Sequence, residues 1–221
     1  MTARTLDALG VTLGIAAGAT LLVLIPGVLL GLLLARRQWR GKSVVETLVA
    51  LPLVLPPTAI GYLLLRLLGR RGLLGEDALG IDLELLFTAR GAMLAAAVMS
   101  LPLVARTARV AFEGVPPRLE EMGASLGLSR TRVFTSITLP LARRGLAGAI
   151  VLGFARALGE FGATVVVAGN IPGRTQTLAL AIFEDIQLGH DDQALALVGL
   201  STLLAFGTIW CVEALLRRSG R

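Results

Sequence analysis

Two ionisable side chains, Arg156 and Glu160, lie four residues apart within an apolar stretch of the chain. This spacing places both on one face of a helix. Ionisable groups at membrane depth are costly, so they usually pair and face the bundle interior or a cavity. The pair itself favours a structural lock between helices, whereas the whole stretch, with Phe161 and Thr164 directly following, favours the wall of a pathway.

Two other groups of residues could do chemistry but fit their motifs poorly. Gly41-Lys42-Ser43 resembles the end of a nucleotide-binding loop, yet that motif needs a glycine where Arg36 stands. Any ATP must therefore be bound by another chain. His190 precedes two aspartates, but consecutive residues rarely converge on one ion, so we predict a solvated turn and no metal site.

The composition is that of an integral membrane protein. Of 221 residues, 55% are hydrophobic and only 16% charged, against about 25% charged in soluble domains. The mean hydropathy is +0.78. The formal net charge of +6 comes from arginines beside apolar runs, which is typical of helix ends at an anionic lipid surface rather than of nucleic-acid binding. The single cysteine, Cys211, lies in an apolar run and is predicted to be a small buried residue.

Long apolar stretches predict an all-α membrane protein in one domain, residues 1–221, with about five transmembrane helices. They lie near residues 11–35, 44–68, 91–109, 146–168 and 194–216. A sixth stretch, 177–187, is too short to span comfortably and predicts a partly buried or re-entrant helix. The run 9–35 is too long for the core of a signal peptide, so we expect it to be retained.

The first two spans carry residues that disturb or tighten helix packing. Gly14/Gly18 and Gly27/Gly31 are small-residue pairs that allow close helix approach, either to a second subunit or within one subunit. Pro26 predicts a kink. In the second span, Pro52, Pro56 and Pro57 predict a break that either faces a pathway or is a structural kink.

A polar, basic segment, 121–140, separates the third and fourth spans. We predict a short helix over 118–126, preceded by Pro116 and Pro117, with Gly127 as its left-handed cap and Ser129 capping the next segment. An apolar side is formed by Leu126, Val133, Phe134 and Ile137. We expect Leu139-Pro140 to end this unit before Arg143, and the whole segment to dock a partner.

Basic residues indicate the orientation of the spans. Most of them lie in three segments: after the first span, from the end of the third span to the start of the fourth, and after the fifth. They are Arg36, Arg37, Arg40, Lys42, Arg106, Arg109, Arg118, Arg130, Arg132, Arg143, Arg144, Arg217, Arg218 and Arg221. The positive-inside rule then predicts an external N-terminus and a cytoplasmic C-terminus and docking segment.

The segment also carries a recognisable signature. Glu121, Gly127, Ile137, Leu139 and Pro140 match the pattern Glu-Ala-Ala, three residues, Gly, nine residues, Ile-x-Leu-Pro. This resembles the cytoplasmic signature loop of permeases from binding-protein-dependent ABC importers. Met122 and Gly123 replace its two alanines, and a glycine there weakens a helix by about 1 kcal/mol.

Further blocks resemble molybdate permeases over nearly the whole chain. They are residues 51–57, 69–72, 155–164 and 170–175, of which the block Leu-Gly-Glu-Phe-Gly-Ala is also similar to sulfate and thiosulfate permeases. The short chain and the Asn-Ile-Pro-Gly sequence favour molybdate or tungstate. Two rival classes remain open: a secondary carrier or channel that needs no ATPase, and a non-transporting membrane scaffold.

The resemblance implies a homodimeric permease of the bacterial cytoplasmic (inner) membrane that is not itself an enzyme. It implies two cytoplasmic ATPase subunits, which bind ATP and magnesium, and an external molybdate-binding protein; this chain is expected to bind no cofactor. The coupling loop spans 113–140. We assign contact with the ATPase to Arg118, Glu120, Glu121, Met122, Gly123, Gly127, Ile137, Leu139 and Pro140. We assign the pathway or gate to Pro52, Pro56, Pro57, Arg156, Glu160, Phe161 and Thr164.

Overall fold

A computed structural model describes residues 3–80 and 84–217, and in these residues the chain folds into helices joined by short links, without strands. The helices are α1 (Ala3–Arg36), α2 (Lys42–Val54), α3 (Pro57–Leu68), α4 (Glu76–Leu79), α5 (Ala89–Glu113), α6 (Pro117–Ser125), α7 (Arg130–Leu158), α8 (Gly162–Ala168), α9 (Leu178–Gln187) and α10 (Asp191–Arg217). The all-α prediction is confirmed.

Five membrane spans can be built from these helices. Among the described residues, α1, α5, α7 and α10 are each long and apolar enough to cross a membrane, and α2 with α3, bent by 112° at their break, adds a fifth span if the pair makes one broken crossing rather than a re-entrant loop. Helix α9 has 10 residues, or about 15 Å of rise, against a hydrocarbon core of about 30 Å. The stretch 177–187 is therefore too short to span and forms the partly buried helix α9, as its length predicted.

Helix α1 packs along α5 through small residues. A Cβ added to its glycines would collide with α5 in three places: Gly18 with Met93, Gly27 with Val104, and Gly31 with Ala108. These glycines therefore serve packing within one subunit, whereas Gly14 faces open space. Helix α1 also continues through Pro26 without ending.

The core lies where α1, α5 and α7 meet. Phe112 on α5 is fully buried, and its ring centroid lies 6.5 Å from that of Phe134 on α7. Buried alanines fill most of the remaining interface, since small side chains let helix backbones approach closely. This packing fixes α7, which carries residues of both candidate sites.

Helix α9 is held against the start of α1 by polar contacts. The Arg4 guanidinium lies 3.0 Å from the Asp185 carboxylate, which is only 2% exposed. The Leu178 amide donates to the Thr12 hydroxyl at 2.8 Å. Buried polar groups of this kind are costly unless paired, so these contacts explain why α9 stays folded onto the bundle.

The predicted end of the docking segment at Leu139-Pro140 is wrong. Helix α7 runs unbroken from Arg130 to Leu158 and takes a π-helical turn at Phe134–Thr138. Pro140 has no amide hydrogen, and the Leu139 amide bonds five residues back to the Phe134 carbonyl. This widened turn accommodates the proline that would otherwise clash with the preceding turn.

The prediction of an unbroken fourth span over 146–168 is also wrong. Helix α7 ends at Leu158 and α8 begins at Gly162, so residues 159–161 form a second break in the membrane-spanning part. The Glu160 carboxylate accepts a hydrogen bond from the Ala163 amide at 2.8 Å, which caps the start of α8. The acidic residue thus ends one helix and begins the next.

The remaining predictions concern the ends of the chain and its loops. The predicted loop after α3 contains the short helix α4, and Arg70 there pairs with Glu76 at 3.1 Å. The side chain of Cys211 and the residues Arg218 and Arg221 lie outside the described part of the chain.

Candidate functional site

Helix α6 is a short helix attached to the bundle by few contacts. It starts at Pro117, where a proline is pre-organised for the first turn, and ends at Ser125. Gly123 is its one buried residue. A helix fixed on so little buried surface is exposed to a partner on most of its circumference.

The exposed side of α6 carries large apolar side chains. Leu119 and Met122 are 39% and 60% exposed, and Leu126, the C-cap directly after α6, is 81% exposed. Arg118 and Glu121 are exposed beside them. Apolar residues at i, i+3 and i+7 form a continuous stripe on a helix, and such stripes exposed at a surface mark interaction sites.

Gly127 ends α6 in the predicted left-handed conformation, with φ of +83°. Its amide donates to the Ala124 carbonyl at 3.0 Å, and the Leu128 amide donates to the Gly123 carbonyl at 3.1 Å. These two bonds form a Schellman motif, which satisfies the last carbonyls of the helix. The left-handed cap is confirmed.

Ser129 then starts α7 as its N-cap. Its hydroxyl accepts a hydrogen bond from the Arg132 amide at 3.3 Å, as predicted. Only residues 126–129 separate α6 from the start of α7. The chain therefore reverses at a fixed turn, and α6 is joined closely to a membrane-spanning helix.

Gly123 brings α6 into close contact with α7. A Cβ at this position would lie 2.7 Å from the Ile137 terminal methyl carbon and 3.3 Å from a Val133 methyl carbon. The glycine that replaces an alanine of the signature therefore sits against Ile137, another signature residue. Leu139 and Pro140 follow on the same helix and are exposed.

Glu120 joins α6 to two other helices. One oxygen of its carboxylate, Oε1, accepts from the Arg36 guanidinium at 2.8 Å and also from the Thr138 hydroxyl. Arg36 is the last residue of α1, and Thr138 is buried in the π-helical turn of α7. Sequence reasoning selected Glu120 but missed both partners. Thr138 is the unspecified position of Ile-x-Leu-Pro, and Arg36 was attributed only to the basic cluster.

The Arg156–Glu160 pair predicted from their spacing is present at the second break. The guanidinium lies 2.8 Å from Glu160 Oε2, and the glutamate is 2% exposed while the arginine is 28% exposed. The other carboxylate oxygen is bonded to the Ala163 amide. Both oxygens are therefore satisfied, as a buried carboxylate requires.

The two breaks contact each other. A Cβ on Gly162 would lie 2.8 Å from Cβ of Pro57, and a Cβ on Gly61 would lie 2.8 Å from the Ala163 carbonyl oxygen. The second and fourth spans thus cross where both are interrupted. Broken backbone at membrane depth is tolerated where it is buried in protein or lines a cavity.

The other pathway candidates are distributed around this crossing. The Phe161 ring centroid lies 5.1 Å from that of Phe183 on α9, and the buried Thr164 hydroxyl donates to the Phe161 carbonyl. Pro56 is exposed at the start of α3. Pro52 lies inside α2, half-buried and before the break.

The coupling and pathway candidates lie at opposite ends of one helix. Ile137 and Arg156 are both on α7, separated by about 28 Å at the helical rise. Displacement of one end of a rigid helix displaces the other. Helix α7 therefore joins the two candidate sites directly.

These features define a class of membrane protein, and comparison with known proteins identifies it. Residues 27–219 match the family described as the binding-protein-dependent transport system inner membrane component. The chain belongs to this family, and it is a multi-pass membrane subunit of a transporter. Membership implies an ATPase partner and a binding protein.

Particular relatives and a solved structure agree with this assignment. The chain is 46% identical over 203 residues to the molybdenum transport system permease protein ModB of Escherichia coli strain K12, with 88% of each chain covered. It is 33% identical over 187 residues to the sulfate transport system permease protein CysW of Synechocystis, covering 85% of this chain and 68% of that one. Its fold is similar to a bacterial ABC transporter for import of the acidic polysaccharide alginate, with a TM-score of 0.80 at 18% identity, covering 99% of this chain and 80% of that one.

Proposed function

We propose that this chain is the permease subunit of an ATP-driven importer for molybdate or tungstate. The substrate class is supported by sequence identity: the chain is 46% identical to a molybdenum permease and 33% identical to a sulfate permease. The Asn-Ile-Pro-Gly block at residues 170–173 adds to this support.

Helix α6 is the proposed contact with the ATPase. Leu119, Met122 and Leu126 offer an apolar stripe with charged neighbours, which suits insertion into a groove of a partner protein. Four of the assigned residues hold this stripe in place: Gly123 and Ile137 fix its distance from α7, Gly127 fixes its end, and Glu120 is turned to the bundle, where it is bonded to Arg36 and Thr138. ATP and magnesium are bound by the partner.

The proposed assembly contains two copies of this chain, two ATPase subunits and an external molybdate-binding protein. We place the N-terminus outside and the C-terminus in the cytoplasm, from the positive-inside rule. This orientation puts α6 on the ATPase side and α9 on the side of the binding protein. Exposed leucines and valines on α2, which has no buried residues, are available to lipid or to the second copy.

The proposed pathway follows the broken spans. Among the described residues of the spans, charged side chains are sparse at the crossing, and Arg156 there is already neutralised by Glu160. A dianion therefore meets no dense ring of cations, which suits an importer whose binding protein selects the substrate. Closure of the ATPase pair would displace α6, and α7 would carry this displacement to the break beside Pro57 and Gly162.

Uptake of labelled molybdate into proteoliposomes tests this function. The permease is reconstituted with its ATPase, with ATP inside the vesicles and the binding protein outside. We expect uptake only with ATP, with strong competition by tungstate and weak competition by sulfate.

Three other outcomes would each reject part of the proposal. Uptake without ATP or the ATPase would make the chain a secondary carrier or channel. Competition by sulfate equal to that by tungstate would make it a sulfate permease. Absence of any uptake, with an active ATPase and binding protein present, would favour a scaffold.

A further inference from the structure

We propose that Arg36 and Thr138 are positioning residues that hold Glu120, so that helix α6 moves together with the ends of α1 and α7. We call Arg36, Glu120 and Thr138 the Glu120 clamp. This inference rests on the proposed function, because the clamp matters only if α6 receives a push from an ATPase.

The first arm of the clamp joins α6 to the bundle formed by α1 and α5. The Arg36 guanidinium donates to Glu120 Oε1 at 2.8 Å, and both side chains are about one-quarter exposed, at 24% and 23%. The same guanidinium nitrogen reaches the Val115 carbonyl at 3.5 Å, in the link between α5 and α6. Arg36 therefore ties the end of α1 to the link after α5 and to the first turn of α6.

The second arm joins α6 to α7 at its least regular turn. The Thr138 hydroxyl, 3% exposed, donates to the same oxygen of Glu120. Thr20 and Thr135 instead donate to carbonyls four residues earlier in their own helices. The Thr138 hydroxyl thus bonds to a neighbouring helix instead of to its own. Thr138 lies in a π-helical turn, and such turns are common at functional sites.

Few other contacts compete with the clamp. Gly123 is the one buried residue of α6, and its neighbours, Ile137 and Val133, both belong to α7. The Glu120–Arg36 hydrogen bond ties α6 to α1. Loss of Glu120 removes the hydrogen bond to α1 and the hydrogen bond to Thr138 of α7 but leaves the exposed stripe of α6 in place, so it should impair transmission more than docking.

The orientation of Glu120 separates these two effects. Its side chain points to the bundle, whereas the apolar stripe of Leu119, Met122 and Leu126 is exposed. A variant that removes the clamp but leaves the stripe should bind the ATPase normally and use its ATP inefficiently. Loss of a docking residue would instead weaken the affinity for the ATPase and leave the molybdate imported per ATP unchanged.

The test compares ATPase affinity with molybdate imported per ATP hydrolysed. Glu120→Gln removes the charge, Arg36→Gln removes the first arm, and Thr138→Val removes the second arm with little change in shape. Arg37→Gln, next to Arg36, and Thr135→Val, in the same π-helical turn, are matched controls. Each variant is reconstituted in proteoliposomes after its insertion and monodispersity have been checked.

We expect the three clamp variants to lower molybdate per ATP by roughly threefold or more, with the dissociation constant of the ATPase changed less than about twofold. The controls should match the unmutated protein in both measurements. The exchange of Arg36→Glu with Glu120→Arg should recover part of the lost efficiency, because it restores the ion pair but not the Thr138 bond to a carboxylate.

Three results overturn the clamp. An unchanged ratio in Glu120→Gln and Thr138→Val shows that α6 transmits force without it. A loss of affinity proportional to the loss of transport makes Glu120 a docking residue. If the unmutated protein imports no molybdate with ATP, the proposed function fails and the clamp falls with it. If Arg36→Gln does not insert, the milder Thr138→Val decides.

Discussion

Gly162 lies against Pro57 so closely that a Cβ added to the glycine would be 2.8 Å from the proline Cβ. The contact joins the break between α2 and α3 to the break between α7 and α8. The same added Cβ would lie 3.3 Å from the Thr58 amide nitrogen. Neither a proline ring nor a backbone amide can rotate away, so the fit is rigid on both sides.

Substitution of Gly162 by alanine should therefore destabilise the protein by overpacking. We expect Gly162→Ala to lower the free energy of unfolding by about 1–3 kcal/mol. The matched control is Gly159→Ala in the same break, where nothing lies within 4 Å of the added Cβ. Unfolding of the purified protein in increasing dodecyl sulfate measures both, and equal losses in the two variants would show that the contact is not tight.

The Arg156–Glu160 ion pair should be energetically coupled. Removal of Arg156 leaves a buried carboxylate without its cation, whereas removal of both charges leaves none. We expect Arg156→Gln and Glu160→Gln to show a coupling energy of about 0.5–3 kcal/mol in a double-mutant cycle of unfolding. The control is a parallel cycle that combines Glu160→Gln with Arg144→Gln, a substitution of an exposed arginine. The losses of stability in this cycle should be additive. Additive losses in the first cycle would mean that the 2.8 Å contact contributes nothing.

The sequence was sufficient for the all-α class and for the local turns. Apolar length predicted five crossings, and Pro56-Pro57 predicted the first break, because two successive prolines cannot continue a helix. Gly127 and Ser129 predicted the end of α6 and the start of α7, since their roles depend on neighbouring residues alone. The i, i+4 spacing predicted the Arg156–Glu160 contact for the same reason.

Features that depend on contacts distant in sequence could not be read in this way. The second break follows from Glu160 capping α8 and from Pro57 meeting Gly162, and no local pattern indicates the latter. Helix α7 runs through Pro140 because a π-helical turn precedes it. Arg36 meets Glu120 across 84 residues of sequence. The positive-inside rule accounted for Arg36 by its charge alone and gave no indication that Glu120 is its partner.

The exposed stripe on α6 should control affinity for the ATPase. Leu126→Asp places a charge in the proposed groove contact, and apolar anchors at such sites typically cost more than 1 kcal/mol, or about fivefold or more in dissociation constant, when lost. Leu73→Asp is the matched control: both leucines are 81% exposed, but Leu73 lies between α3 and α4, on the predicted opposite face. Titration of the solubilised permease with labelled ATPase gives both constants. Equal affinities in the two variants would remove the stripe from the interface.

The turn at Gly127 should control coupling without controlling insertion. Its φ of +83° is inaccessible to proline, and its amide donates to the Ala124 carbonyl, a bond that proline cannot make. We therefore expect Gly127→Pro to insert and purify normally but to abolish ATP-dependent uptake, because the end of α6 must be rebuilt. Gly127→Asn is the graded control, since asparagine visits the left-handed region more readily than most other residues with a side chain. It should retain most of the uptake. Normal transport by Gly127→Pro would show that α6 need not be held at this angle, and the proposed docking role would fail.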